Sequence, residues 1–294
     1  MMTNPNIKPC PFCQSQAQRL LFVQNGYQLV RCSDCELAFI ANPPDPEAVR
    51  ILYTGEGHGA YHQDVRSPDS PAARRMMRTA RRHLQFLTHV VRQGRLLDVG
   101  CSTGDFLSLA VAAGFEAQGV ELSDASVRIA VERRGLAVRQ GTVDDLDPQA
   151  DLDVITAFDV LEHIPNPMRE LRAYVARLKP GGWLVMSTPN IDGLFPRLSY
   201  RVAKHLGYWP HPEPPHHLYQ FGETVLRRIL ADQGLIPGPA RHCRIDLSYS
   251  FGTWQNLIKM PKRLLYAFVF GPVSIAGPWL AQGDWIYMAA RKPG

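Results

Sequence analysis

Leu96-Leu97-Asp98-Val99-Gly100-Cys101-Ser102-Thr103-Gly104-Asp105 reads as a buried strand that runs into a glycine turn and opens a helix. Such a junction starts a βαβ unit, and few folds other than a parallel sheet accommodate it. The turn is not a dinucleotide fingerprint. G-x-G-x-x-G counted from Gly100 needs glycine at 102 and 105, where Ser102 and Asp105 stand. Asp98 and Asp105 also place carboxylates beside the helix N-terminus, the position a pyrophosphate would occupy. The pocket implied is one for a cofactor with a cationic centre and no phosphate.

The surrounding periodicity alternates. Strands are expected at Arg95–Val99, Glu116–Glu121, Ala137–Gln140, Asp153–Phe158 and Trp183–Thr188, with helices at Asp105–Ala113, Ala125–Arg134 and Asn166–Leu178 between them. This is an α/β pattern: a Rossmann-like, mostly parallel sheet with helices on both faces. Thr224–Gln233 continues it as a helix. Asp284–Arg291 is expected as a C-terminal antiparallel strand paired with Arg241–Ser250. Ahead of this domain, assigned to 94–294, lie a compact unit at 1–42 and a linker with an N-terminal helix at 43–93. In that linker, Pro46–Val49 opens a short helix, 54–71 is a loop, and Pro71–Gln93 is a helix with Arg74, Arg75, Arg78, Arg81 and Arg82 crowded on one face. Segments 192–215 and 250–282, rich in aromatic, leucine and proline residues, are expected to cover a substrate.

Cys10-Pro11-Phe12-Cys13 and Cys32-Ser33-Asp34-Cys35 are two C-x-x-C pairs eighteen residues apart. Between them, two apolar runs flank Gln24-Asn25-Gly26, a hairpin turn signal. The spacing predicts a small zinc ribbon preceding the α/β domain, its Cys₄ cage structural because no coordination position stays open. An iron centre, a redox pair or four unrelated thiols are the competing readings. Cys101 and Cys243 stand alone and are expected to pack as small apolar residues.

In an open parallel sheet the ligand lies beyond the carboxyl ends of the strands. Gly100 and Gly104 let the main chain approach it, and Asp98 can reach an ammonium group. Glu121, about twenty residues past the turn, suits a ribose diol. Thr142, Val143 and Asp144, after the third strand, can meet an adenine edge, and Cys101, Leu122 and Phe158 complete the expected lining. S-adenosylmethionine, a sulfonium with an ammonium group and no phosphate, fits this ordered set.

Leu97–Gly104, Val120-Glu121, Phe158–Ile164 and Leu178–Leu184 resemble the class I S-adenosylmethionine-dependent methyltransferases, in the branch of the ubiquinone-biosynthesis O-methyltransferases. With its zinc ribbon the chain also looks like a bacterial subgroup linked to small-molecule or glycan tailoring. The resemblance implies methyl transfer, most simply to oxygen with a general base, on a small molecule or a lipid- or nucleotide-linked sugar. His217, in Pro214-Pro215-His216-His217-Leu218-Tyr219-Gln220-Phe221, matches the family's His-Leu-x-x-Phe histidine and is expected as base, with His163 the second candidate. Related quinone O-methyltransferases bind a divalent metal where Asp159, Glu162 and His163 stand, which would put Mg²⁺ here. Thr142 replaces a common acid of the family, so the adenine contact falls to Asp144 or to main chain.

A net charge of +5 with a sequence pI near 8.9 tolerates an anionic substrate without requiring nucleic acid. The alternative is an RNA methyltransferase gripping phosphates with the ribbon and the Arg74–Arg82 face. A non-catalytic cofactor-binding protein is the third reading. The ribbon's few lysines and arginines make nucleic acid the weaker partner, and the apolar covers favour an acceptor that is apolar or aromatic in part. The first residues carry no apolar core of a signal peptide, and paired thiols suit a reducing cytoplasm. From Leu264 to Gly283 no residue is charged, with Lys259, Lys262 and Arg263 just before. Gly271-Pro272 and Gly277-Pro278 are expected to break that run into pieces, an apolar flap over the pocket. Peripheral membrane contact through 259–282 is the other reading.

Overall fold

The structure is a computed structural model that describes residues 8–54, 70–147, 151–207, 209, 211–244 and 261–294. In chain order its elements are β1 (Gln18–Gln24), β2 (Tyr27–Cys32), β3 (Ala38–Ile40), α1 (Pro46–Thr54), α2 (Pro71–Val90), β4 (Arg95–Val99), α3 (Asp105–Ala112), β5 (Glu116–Glu121), α4 (Asp124–Arg128), β6 (Val138–Gln140), β7 (Leu152–Phe158), α5 (Pro167–Arg177), β8 (Leu178–Pro189), α6 (Leu194–Leu206), β9 (Tyr219–Gln220), α7 (Glu223–Asp232), β10 (Ile236–Cys243), α8 (Pro261–Ala276) and β11 (Trp285–Arg291).

Seven strands form the main sheet in the order β10-β11-β8-β7-β4-β5-β6. The five from β8 to β6 are parallel, and β11 and β10 pair antiparallel at one edge. The order reverses between β4 and β7, so the crevice at their carboxyl ends is where an α/β sheet receives a ligand. Successive side chains of the central strands enter opposite cores, as a period of two demands. Val154, Val185 and Tyr287 pack with Phe86 and Leu87 of α2 and Phe106 of α3. Their neighbours Ile155, Leu184, Met186 and Met288 pack with Leu171 and Tyr174 of α5 and Leu226 and Ile229 of α7. Helices therefore cover both faces, as the alternating periodicity requires.

Three expectations change. The partner of β11 is Ile236–Cys243, not Arg241–Ser250; residues 245–250 lie outside those described. Pro237 and Pro239 masked this strand, but at a sheet edge a missing N–H is tolerated, and the register shifts between Pro237 and Ala240 to absorb it. Second, Gly271-Pro272 does not break the apolar run: α8 continues from Pro261 to Ala276 with Pro272 inside it. Tyr266 and Phe270 anchor it against Phe195 of α6, and that packing outweighs one lost main-chain bond. The second pair does act as a breaker, turning the chain into a short 3₁₀ segment at Gly277–Leu280. Third, β8 starts at Leu178, so Pro180-Gly181-Gly182 belongs to the strand rather than preceding it. The expected loop at 54–71 falls almost wholly outside the described residues, as do residues 250–260 of the cover at 250–282. The cover at 192–215 contains α6, which ends at Gly207 in a left-handed cap.

At the N-terminus, β1 and β2 form the expected hairpin about Asn25-Gly26, both with positive φ. Its sheet, β1-β2-β3-β9, does not close on itself: β9 comes from the far end of the chain, pairing Ala38 with Gln220 and Phe39 with Tyr219. Cys10, Val30, Leu37 and Phe39 share one core with Leu218, Phe221 and Leu226.

Candidate functional site

One cavity of about 1460 Å³ opens at the carboxyl ends of β4, β5 and β7. A drug-sized ligand occupies roughly 300–1000 Å³, so this space accommodates two molecules side by side. Asp98, Gly100, Cys101, Glu121, Leu122, Thr142, Asp144 and Phe158 line it. Gly104 and Val143 do not. A Cβ on Gly104 (φ +81) would run into the Leu136 side chain, so its glycine serves helix packing. Val143 is fully buried in the core and offers the site only main chain.

Gly100 (φ +67) turns the chain out of β4, and a Cβ there would sit 2.7 Å from Val160. The turn delivers the Ser102 N–H to Glu121 Oε2 at 2.9 Å, while the Ser123 N–H donates to Oε1 at 2.8 Å. Two main-chain donors thus lock the Glu121 carboxylate, and each oxygen keeps a further lone pair for a diol. Asp98 lies deeper and accepts from the Thr156 hydroxyl at 2.7 Å. Burial, with the Glu121 charge adding to it, pushes its carboxyl up to about 7. At the third strand end, Thr142 and Asp145 close a capping box, and Asp144 pairs with Arg169 at 2.5 Å. Phe158 stacks on His83 with centroids 4.1 Å apart. His83 is a buried residue of α2 that sequence reasoning passed over, because one histidine in an arginine-rich helix carries no pattern.

The cavity continues past β7 to His163, His211, His216, His217 and Trp285. The expected Asp159–Glu162–His163 magnesium set is not assembled. Asp159 turns away (φ 57) and accepts from Ser187 Oγ at 2.5 Å and Trp285 Nε1 at 2.7 Å. Burial pushes its carboxyl up to about 6, against those two hydrogen bonds. The group that does converge is Glu162, His163 and His217, whose candidate ligand atoms all lie within 4.8 Å of one another. One oxygen and two imidazoles are a poorer match to magnesium than the oxygen-rich set expected.

Glu162 is fully buried, with its own main-chain N–H and the Thr188 hydroxyl the groups that favour its charged form. Burial and the Asp159 charge push its carboxyl well above the usual carboxylate range. His217 is buried too, its Nδ1 without a hydrogen-bond partner among the described residues. Burial, then His163, His211 and His216, push it well below an ordinary imidazole. His163 is half-buried. Its Nδ1 is 2.8 Å from the His216 carbonyl, which can only accept, so Nδ1 carries a proton. The Tyr53 hydroxyl, from α1, reinforces this: it lies 2.7 Å from the same Nδ1 and donates to the same carbonyl at 3.1 Å. Tyr53 was not foreseen, since nothing in sequence ties α1 to the end of β7.

In the ribbon, Cys10 and Cys35 sulfurs are 3.4 Å apart and Cys13 and Cys32 sulfurs 3.5 Å apart, with all four mutually within 4.8 Å. A tetrahedral zinc with bonds near 2.3 Å requires sulfurs roughly 3.8 Å apart, so the four fit that ion. Main-chain amides of Phe12 and Cys13 lie against the Cys10 sulfur, and those of Asp34 and Cys35 against the Cys32 sulfur. Cys101 is buried and Cys243 half-buried.

A family profile described as "Methyltransferase domain" matches residues 71–236 of this chain. A ubiquinone biosynthesis O-methyltransferase of Bordetella avium is 32% identical over 117 residues, 36% of this chain and 47% of that protein. The chain spans about half the length of the curated relatives it matches in this way. Two crystal structures share the fold. Magnesium protoporphyrin IX methyltransferase from Synechocystis, solved with bound S-adenosylhomocysteine, superposes with a TM-score of 0.55 at 14% identity over 85% of this chain and 100% of its own. A 1,6-didemethyltoxoflavin N1-methyltransferase from Burkholderia thailandensis gives 0.53 at 19% identity over 95% and 100%.

Proposed function

Because the chain belongs to the methyltransferase-domain family, we propose that it moves a methyl group from S-adenosylmethionine to an oxygen of a small acceptor that is apolar or aromatic in part. The observation that carries this reading is one cavity that holds a locked carboxylate, Glu121, in one half and two imidazoles, those of His163 and His217, in the other. Bound sulfonium supplies a methyl carbon already activated toward displacement. The protein's own work is to hold the reactants in line, exclude water and take a proton from the nucleophile.

Glu121 holds the ribose hydroxyls, Asp98 faces the ammonium group, and Phe158 and Leu122 pack against the apolar parts of the donor. His163, oriented at Nδ1 by the His216 carbonyl, is the proton acceptor. His217, kept neutral by burial, shapes the pocket beside it and remains a second acceptor. The histidine-lined half and Trp285 suit an aromatic or isoprenoid body. Arg82, the one member of the arginine face that lines the cavity, suits an acidic substituent on it. The ribbon at 1–42 holds zinc as a structural ion. No helix among the described residues is long and apolar enough to cross a membrane.

The test is transfer of labelled methyl from S-adenosylmethionine to a panel of phenols, isoprenoid alcohols and sugar nucleotides, with product identified by mass spectrometry. Glu121→Ala should weaken donor affinity by roughly a hundredfold, since two charge-assisted hydrogen bonds are worth about 3 kcal/mol or more. His163→Ala should lower kcat and leave donor affinity nearly unchanged. Donor binding unaffected by Glu121→Ala would refute the reading.

A further inference from the structure

Four arginines line the cavity, and they are not equivalent. Arg50 pairs with Glu47 and Arg169 with Asp144. Arg82 and Arg244 have no ion pair among the described residues, and both are exposed enough to meet a ligand. They come from different elements: Arg82 from α2, Arg244 from the residue after β10.

The sheet brings them to one corner. β10 is antiparallel to β11, and β11 to β8, so the carboxyl end of β10 emerges on the ligand side with those of the parallel strands. Arg241 and Cys243 of β10 stand opposite Tyr287 and Trp285 of β11. At a period of two these four side chains share one face of the sheet, the face that α2 covers. Charge is felt across that junction. Burial raises both the Cys243 thiol and the Tyr287 hydroxyl, and the guanidinium groups of Arg82 and Arg241 oppose it at each. The carboxylates whose fields reach the same two groups are held by neutral donors: Asp284 by Ser274 at 2.7 Å, Asp159 by Ser187 and Trp285. Arg244 is also remote from the donor. β10 lies five strand spacings from β5, which carries Glu121, or about 24 Å across a sheet. The anion that Arg244 meets therefore belongs to the acceptor.

We infer that Arg82 and Arg244, with Arg241 behind them, hold a phosphate group of the acceptor, which makes the substrate a phosphate ester or diphosphate. A phosphate carries nearly two negative charges and presents oxygens to two guanidinium forks, so it matches this corner better than a single carboxylate. The inference rests on the reading of the cavity as a joint site for donor and acceptor.

Calorimetric titration of the protein saturated with S-adenosylhomocysteine tests it without requiring turnover. Phenyl phosphate should bind roughly tenfold or more tightly than phenol or benzoate, and the advantage should shrink as salt rises. Arg82→Ala and Arg244→Ala should each weaken phenyl phosphate by roughly tenfold. Arg244→Lys should recover part of that loss, because it keeps the charge without the fork. S-adenosylhomocysteine affinity should not change in Arg244→Ala. A protein that binds no S-adenosylhomocysteine overturns the reading of the cavity and this inference together. One that binds it, yet takes phenyl phosphate no better than phenol or benzoate, overturns the inference alone. So does a loss of S-adenosylhomocysteine affinity in both alanine variants with phenyl phosphate binding unmoved, because the arginines then serve the donor's own carboxylate.

Discussion

At the scale of single residues the site works through groups held uncharged or held still. Asp98, set against the donor's ammonium group in the proposed reading, is one of three cavity carboxyls, with Asp159 and Glu213, whose ionisation falls in the working range. Its carboxyl sits near 7 through burial. A cationic ligand pairs with the ionised form, so affinity should be flat above pH 7 and fall as pH drops through that value, by up to tenfold per unit. Calorimetric titration of S-adenosylmethionine between pH 5.5 and 8.5 measures this, and Asp98→Asn should bind weakly with the pH dependence gone. Tyr53 makes a different prediction. Its hydroxyl meets His163 at Nδ1 and its ring packs edge-on against the imidazole, centroids 5.4 Å apart, so Tyr53→Phe, which keeps the ring, should loosen the tautomer, lower kcat several-fold and leave donor affinity intact. A changed pH–rate profile would separate this from simple loss of packing. Glu121 and Asp98 were readable from spacing alone, because strand-end carboxylates follow the order of the strands. Tyr53, His83 and the Glu162–His217 contact were not. They arise where α1, α2 and the segment before β9 fold over the sheet, and no periodicity relates positions that distant.

At the scale of elements, what sequence reveals is governed by how much local signal survives packing. The parallel strands and the helices between them carry strong alternation, and their core lies within a few residues of expectation. Elements containing proline behave differently. Pro237 and Pro239 hid β10, and Pro272 suggested a break that α8 does not have; in each case tertiary contacts outweigh a local preference. In α8 Pro272 is solvent-exposed, so its ring contributes little packing while its missing N–H leaves the Phe268 carbonyl without its helical donor. Pro272→Ala should therefore stabilise the protein by about 1–3 kcal/mol, read as a higher urea midpoint with unchanged slope. A loss instead would mean that Pro272 is what seats Phe270 against Phe195.

At the scale of the whole molecule, the ribbon's sheet runs into the segment that lines the cavity. Spacing identified the four thiols, but a ribbon read from residues 1–42 gives no hint that its sheet is completed by Tyr219–Gln220, immediately after His217. The linkage is a short chain of main-chain bonds. The Ile40 N–H donates to the Leu218 carbonyl at 2.9 Å, and the Leu218 N–H donates to the Glu162 carbonyl at 2.8 Å. Asn25 at the hairpin tip holds the Pro214 carbonyl at 3.2 Å. Glu121 and Asp98, by contrast, are fixed by β4, β5 and β7 and share no hydrogen bond with the ribbon. Removing zinc by chelation, or by Cys32→Ser, should release β3 and with it the segment that carries His217 and the His216 carbonyl that orients His163. Turnover should then fall by about a hundredfold, the size of effect that a shift near 1 Å in a catalytic group produces. Donor affinity should change by less than about threefold, because the groups that bind it are anchored in the other sheet. Measuring metal content, kcat and donor affinity on the same sample distinguishes this from global unfolding, in which all three collapse together. If turnover survives metal loss, β9 is held by its own core contacts through Phe221 and Leu226, and the ribbon is only an appendage.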